Sequence, residues 1–191
     1  DVINFIHILG SVLDLGVPSD STVSLAKLTA TGTKDATTFL RGDNTFASAG
    51  GNMTPAFYVY ANANQTSLNH NTLYKVTLDT EDFDTDSAFA SNKFTVPSGQ
   101  GGKYYLQAHT QIPGIDDGEL GQIYLFINGS HDQLATVRVY SSGSNQIFRM
   151  ITAYTAELNA GDYVEIYVYQ NSGGAQTATN NYFTGHKLIG A

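Results

Sequence analysis

The residues of this 191-residue chain that could do chemistry are mostly acidic, and the first group is an alternating triplet of aspartates. Asp82, Asp84 and Asp86 have the spacing of a calcium loop, in which hard oxygen ligands converge on one cation. A complete EF-hand loop would add a glycine and a final glutamate, where this chain has Ser87 and Lys93. The triplet is a candidate calcium site, and the alternative is an acidic edge strand that opposes aggregation between sheets.

A second acidic group, Asp116, Asp117 and Glu119, lies in the glycine-bounded segment 114–121. Paired carboxylates can hydrolyse glycosides, but neighbouring acids in a loop usually only solvate the turn. The sequence contains no Ser/His/Asp order, H-E-x-x-H pair or phosphate loop, and its five histidines share no metal-ligand spacing. We therefore expect no enzyme activity and no cofactor except a calcium ion at the aspartate triplet.

Tyrosine is the most informative of the remaining residue types, with 12 copies. Tyr105, Tyr167 and Tyr169 alternate with apolar residues on predicted strands, which places them opposite the core. Aromatic sheet faces of this kind are typical of subunit interfaces and of platforms that stack on carbohydrate.

Composition excludes two classes of partner. The formal net charge is −8 with only nine Lys and Arg, so the chain lacks the basic patch that binds nucleic acid. No apolar run is long enough to span a bilayer, and we expect no membrane insertion. The absence of cysteine excludes disulfides and thiolate metal sites. Since the sequence begins at Asp1 without Met, we expect a processed or partial product.

The chain divides by composition at about residue 52. Residues 1–52 contain too few apolar residues to fold alone, which predicts a thin, extended stalk that assembles with copies of itself. From Pro55 onwards, short alternating runs are separated by turn residues, the pattern of an all-β domain over residues 53–191. About ten strands are expected without a helix, which is the number found in a two-sheet jelly roll.

The segment Phe94–His109 is the centre of this domain. A short strand stops at Pro97, glycines form a corner, and the next strand has Tyr104 and Leu106 on its core side. Tight turns are predicted at Asn128-Gly129 and at 159–162.

Four motifs resemble the C1q/TNF-like jelly rolls. They are the opening P-A-F at 55–57, the F-T-V-P, glycine corner and G-x-Y-Y-L at 94–106, L-x-x-G-D-x-V-x-I at 158–166, and F-T-G with a later leucine at 183–188. Two positions depart from the family pattern, Glu165 and His186, where many members have Trp and Phe. The resemblance implies a trimeric jelly roll over residues 53–190.

The segment 19–50 resembles the connecting repeats of phage tail-fibre and appendage proteins, through S-T-V-S-L-A-K-L-T-A-T-G-T and then T-T-F-L-R-G-D-N-T-F. In such proteins the second phrase precedes a globular tip. Arg41-Gly42-Asp43 spells an integrin-type tripeptide, but within this phrase we expect a turn with a local contact between Arg41 and Asp43.

Together, the two resemblances imply a homotrimeric, non-enzymatic component of a phage virion. We expect the tip of a tail or head fibre that binds a glycan or protein of the host surface, attached to other virion proteins through its N-terminal region. The trimer interface is predicted at Phe57, Tyr105, Gln107, Tyr167 and Tyr169. Receptor contacts are predicted in polar segments 62–71, 114–121 and 173–181, at Asn64, Asp116, Asp117, Glu119, Gln176 and Asn180.

Three alternatives remain. The chain could be a decoration or cement protein of a viral capsid, docked on the shell through residues 1–16. It could be a bacterial surface or spore-coat adhesin with the same fold, which the phage-like phrase disfavours. A glycan-degrading enzyme that uses Asp116 and Asp117 is the third.

Overall fold

The computed structural model describes residues 29–48 and 53–188, and the predicted stalk before residue 29 lies outside these ranges. The chain divides into two compact units, Asp1–Gly50 and Gly51–Ala191, each of which is described by itself. Within the described ranges, no helix is long and apolar enough to cross a membrane.

The first unit contains a short antiparallel hairpin of β1 (Thr38–Leu40) and β2 (Phe46–Ser48). The R-G-D phrase is its turn. The Arg41 Nη2 atom lies 3.7 Å from Asp43 Oδ2, and Asp43 Oδ1 accepts hydrogen bonds from the backbone and hydroxyl of Thr45 at 3.1 and 2.6 Å. These bonds hold the pKa of Asp43 below its usual value, led by the one from the Thr45 hydroxyl. The predicted Arg–Asp turn is therefore confirmed.

Residues 53–188 of the second unit form twelve strands. They are β3 (Ala56–Tyr60), β4 (Gln65–Leu68), β5 (Tyr74–Lys75), β6 (Thr80–Asp84), β7 (Phe89–Ala90), β8 (Lys93–Thr95), β9 (Gly102–Ile115), β10 (Leu120–Ile127), β11 (Ser130–Tyr140), β12 (Gln146–Leu158), β13 (Tyr163–Gln170) and β14 (Gln176–Lys187).

These strands form two antiparallel sheets. The β9 sheet has the order β12-β9-β14-β3-β6, with β4 paired to β14. The β10 sheet has the order β11-β10-β13-β8-β7, with β5 paired to β13. Neighbours in each sheet are mostly distant in sequence, which is the topology of a jelly roll rather than of a meander.

The inner faces of both sheets supply one core. Tyr104 and Leu106 of β9 are fully buried, as the alternation of Phe94–His109 predicts. The ring of Phe57 stacks on that of Phe94 at a centroid distance of 4.6 Å and meets the ring of Phe183 edge-on at 4.8 Å. Along β13 the burial alternates strictly, so its apolar residues face the core and its tyrosines face outward.

Both predicted turns are confirmed, and a hydrogen bond connects them. Asn128 and Gly129 have φ values of 51° and 78°, as a two-residue hairpin requires. Asp162, in the second turn, accepts hydrogen bonds from the Asn159 backbone at 2.7 Å and from the Asn128 side chain at 2.8 Å. These bonds, with the Asn159 backbone bond foremost, lower the pKa of Asp162.

Two of the predicted polar loops are partly strands. Segment 62–71 contains β4, and segment 173–181 contains the start of β14. The two pair with each other, Gln176 opposite Leu68 and Ala178 opposite Gln65. Their polar composition concealed them, because backbone pairing needs no apolar side chain, and Leu68 and Ala178 are the buried apolar residues of the two segments.

Candidate functional site

The calcium prediction at Asp82, Asp84 and Asp86 is wrong. Within residues 29–48 and 53–188, no three acidic or histidine side chains are grouped to hold a metal ion. Asp84 Oδ2 instead accepts a hydrogen bond from the backbone of Phe89 at 2.8 Å, and Asp86 Oδ2 accepts one from the hydroxyl of Thr85 at 2.7 Å. Two of the three carboxylates therefore stabilise the turn after β6.

The second acidic group also stabilises a turn. Asp116 Oδ1 accepts a hydrogen bond from the backbone of Asn145 at 2.8 Å, while Glu119 Oε2 accepts one from the backbone of Asp116 at 2.7 Å. The exposed Asp117 lies between them in the loop that joins β9 to β10. Carboxylates that accept backbone bonds in this way fix a loop shape.

The three predicted receptor segments meet at one end of the sandwich. Gln176 Nε2 donates to the backbone oxygen of Gly114 at 3.4 Å, and the backbone of Gly173 donates to His70 Nδ1 at 2.9 Å. Asn64 and Asn180 are exposed, and Asn180 Nδ2 donates to Gln111 Oε1 at 2.9 Å.

This loop end is remote from the point where the chain enters the domain. Pro55 accepts a backbone hydrogen bond from Lys187, which pairs with Tyr104 near the start of β9, whereas Gly114 lies at the end of that strand. Ten residues of β9 separate Tyr104 from Gly114, so the two points are roughly 33 Å apart.

The predicted interface residues do not form one surface. Phe57 was assigned to it wrongly, because its side chain is fully buried in the core of a single chain. Tyr105 and Gln107 point outward from the β9 sheet, whereas Tyr167 and Tyr169 point outward from the β10 sheet. The core separates the two pairs, so no single flat contact can include both.

The outward side of the β9 sheet carries the larger group of stacked rings. Tyr182 lies parallel to Tyr58 at a centroid distance of 5.6 Å and to His109 at 5.1 Å. Tyr58 also stacks on Phe83 at 6.5 Å, and Tyr60 lies 6.3 Å from Tyr58. We call this surface the tyrosine face and define it by Tyr58, Tyr60, Phe83, Tyr105, Gln107, His109 and Tyr182.

Hydrogen bonds fix the polar ends of these side chains. Tyr105 Oη donates to Gln107 Oε1 at 3.2 Å, and Gln107 Nε2 donates to Tyr182 Oη at 3.1 Å. The pKa of Tyr58 is raised, chiefly by burial and further by Tyr182, Asp82 and Tyr60. None of the residues that define the tyrosine face is charged, and the charged residues Lys103, Arg149 and Glu157 lie around them on the same outward side of the β9 sheet.

One side of the sandwich exposes apolar residues as well. The edge strands β11 and β12 of the two sheets are neighbours there, and the Thr152 hydroxyl donates to the backbone oxygen of Ala135 at 2.8 Å. Tyr140 projects outward from the β10 sheet and is 62% exposed, whereas Ile147 and Ile151 project outward from the β9 sheet and are 45% and 52% exposed. We call these three residues the apolar edge.

The outward side of the β10 sheet has a different surface. A cleft of about 430 Å³ opens over β10 and β11. We call it the arginine cleft. Its side chains are Gln122, Tyr124, His131, Gln133, Thr136 and Arg138.

A buried amide organises the arginine cleft. Gln122 is only 3% exposed. In the amide orientation that satisfies its neighbours, its oxygen accepts from Arg138 Nε at 2.8 Å and Nη2 at 2.9 Å, and its nitrogen donates to Tyr124 Oη at 2.8 Å. Burial raises the pKa of Tyr124, which Arg138 partly offsets. The guanidinium is thus held by a neutral group that leaves its charge intact.

Sequence reasoning missed both the cleft and most of the tyrosine face. The signal for the cleft was the alternation along β10, where Gln122, Tyr124 and Phe126 interleave with the buried Ile123 and Leu125. Nothing in the sequence placed Arg138 opposite Gln122, because that contact depends on the register between β10 and β11.

Comparison with known proteins supports the fold. No protein-family model matches the sequence, and no curated protein matches it. Among solved structures, the chain is similar to the globular domain of zebrafish complement 1qA protein, with a TM-score of 0.53 and 18% sequence identity. The match covers 71% of this chain and 98% of that one. At this identity the likeness identifies a C1q-like jelly-roll fold and no more.

Proposed function

We propose that this chain is a non-enzymatic, homotrimeric component of a phage particle surface, a fibre or appendage tip that binds a glycan or protein of the host. The observation that carries the proposal is the tyrosine face. An aromatic surface whose central side chains are uncharged, with charged residues around it, suits burial against another protein surface, since charged residues are depleted at the centres of such contacts.

Ile151 is opposite His109 in the β9 sheet, so the apolar edge borders the tyrosine face of its own copy, and in the proposed trimer it contacts the tyrosine face of the next copy. When a face of one copy packs on an edge of the next, the contact is heterologous, and three such contacts close into a ring. Ring closure would also cover the edge strands β11 and β12, which otherwise present unpaired backbone groups to other chains.

The loop end is suited to receptor contact. It lies roughly 33 Å along β9 from the end at which the chain enters the domain. Three identical tips on one axis raise the effective concentration of a weak binding site without any new contact. The R-G-D hairpin, which matches the connecting repeats of phage appendages, favours a fibre over a free adhesin.

Binding to cells tests this function. The full chain, labelled with a fluorophore, is added to a panel of bacterial strains, and bound label is measured against concentration. We expect saturable binding to some strains, with loss after either protease or polysaccharide stripping of the cells. Absence of saturable binding to every strain would contradict the receptor role.

A decoration role makes a different prediction. Extraction of the protein from its particle would then lower capsid stability and leave adsorption to the host unchanged. For a fibre tip we expect the reverse, normal capsid stability with reduced adsorption.

A further inference from the structure

We propose that the arginine cleft binds a sugar residue that carries a carboxylate, as part of an acidic polysaccharide. The inference rests on the proposed function, because the polysaccharide would belong to the host surface. It names a ligand class and a site on the sheet face, whereas receptor contact was expected only from the loops.

The shape and lining of the cleft suit a sugar ring. At about 430 Å³ it falls within the range of small-ligand sites. Tyr124 lies edge-to-face with His131 at a centroid distance of 5.6 Å, and it meets Phe126 in the same way at 6.1 Å. Aromatic walls of this kind stack on the C–H faces of a saccharide, while the exposed Gln133 supplies hydrogen-bonding groups.

Arg138 selects for the carboxylate. A guanidinium has five N–H donors, and Gln122 engages only the Nε and Nη2 atoms, which leaves Nη1 and one N–H of Nη2 for a ligand. Because the group that fixes Arg138 is a neutral amide, the arginine keeps its full charge. A fixed guanidinium binds a carboxylate through two parallel hydrogen bonds, with little further loss of side-chain freedom.

The charged groups described on neighbouring strands do not neutralise Arg138, so it can still bind a carboxylate. Glu165, on the outward side of β13, pairs with Lys75 at 2.7 Å. Among the described side chains, no carboxylate lies within ion-pair distance of Arg138. The cleft extends along β10, with Gln122 towards the loop end of the domain and His131 towards the hairpin at Asn128-Gly129.

The test compares an acidic with a neutral trisaccharide on the full chain. Trigalacturonate and maltotriose are the probes, and isothermal titration calorimetry with saturation-transfer NMR provides the readouts. We expect trigalacturonate to bind at least about tenfold more tightly than maltotriose, since charge-assisted bonds exceed neutral ones by that order. Saturation should pass from the aromatic walls to the sugar-ring protons.

Three variants locate the site. Arg138→Gln should weaken trigalacturonate binding about tenfold or more and leave maltotriose unchanged. Tyr124→Ala should weaken both sugars. Arg41→Gln is the matched control, because it makes the same change of charge at the hairpin of the first unit and should leave binding unchanged. Melting curves establish that each variant is folded.

Equal binding of the two sugars, or trigalacturonate binding that survives Arg138→Gln, would overturn the proposal. The proposal would also fail if inorganic phosphate bound as tightly as trigalacturonate and displaced it, since the site would then be a general anion site. If the chain binds cells but neither Arg138→Gln nor Tyr124→Ala reduces that binding, this inference fails and the receptor role stands. If the chain binds no cells, the receptor role fails by itself.

Discussion

The tyrosine face and the arginine cleft lie on opposite sheets of one sandwich, and both are rich in aromatic rings. In the tyrosine face the rings stack side by side, the hydroxyls of Tyr105 and Tyr182 are joined through Gln107, and the members of the face are uncharged. In the arginine cleft the rings stand edge-to-face around a fixed cation. The arrangement of polar atoms, and not the number of rings, distinguishes the surface that we propose joins copies from the surface that we propose holds a ligand.

The largest expected effect is on assembly. Phe83→Lys places a charge at the margin of the tyrosine face, where the side chain is 47% exposed and contributes little to the core. We expect sedimentation velocity to show monomers. The new lysine would be buried without a partner in the contact between copies, and the free-energy cost of burying that charge exceeds the free energy that the contact contributes. Leu73→Lys, at a site 42% exposed and outside both surfaces, is the matched control and should leave the mass unchanged. An unaltered oligomer of Phe83→Lys would show that this face is not the contact.

A smaller effect is expected from the glycines beneath each surface. A Cβ at Gly121, under the arginine cleft, would overlap the ring of Phe148, and one at Gly185, under the tyrosine face, would lie 2.8 Å from Leu106 Cδ2. Alanine at either position should lower the free energy of unfolding by about 1–3 kcal/mol, as overpacking does. We expect the larger loss for Gly121→Ala, measured by urea denaturation at a fixed protein concentration. If both variants unfolded at the wild-type urea concentration, the neighbouring core side chains would have to accommodate the added Cβ atoms without loss of stability.

The smallest expected effect is on tyrosine ionisation. Arg138 stabilises the ionised form of Tyr124, so Arg138→Gln should raise the pKa of Tyr124 further above 10.0. Asp82 has the opposite influence on Tyr58, and Asp82→Asn should lower the pKa of Tyr58 towards 10.0. Carbon-13 NMR of labelled tyrosine, assigned with the two Tyr→Phe variants, measures both. If either single substitution changed the pKa of both Tyr124 and Tyr58, the two surfaces would not be electrostatically separate.

Local patterns predicted much of the fold. Alternation alone placed Tyr104 and Leu106 in the core and the tyrosines of β13 outside it, because a strand has a side-chain period of two. Asn128-Gly129 predicted its hairpin, because both residues accept positive φ. The Arg41–Asp43 turn was predicted as well, since both partners are close in sequence.

The pairing of strands that are distant in sequence could not be predicted. The sequence did not assign Tyr105 and Tyr167 to different sheets, since each strand alternates in the same way whichever sheet it joins. Phe57 was assigned to the wrong side of β3, although Tyr58 and Tyr60 are the outward residues of that strand. Asp82, Asp84 and Asp86 have calcium spacing, but their carboxylates are directed by strand β6 and the turn that follows it.

The molar mass of the unmodified full chain, measured by light scattering across a range of concentrations, tests most directly whether the tyrosine face joins copies. A single copy has a mass of 20.5 kDa. We predict a stable mass three times that value. A mass of one copy at all concentrations, with the protein soluble and its tyrosines accessible, would contradict it.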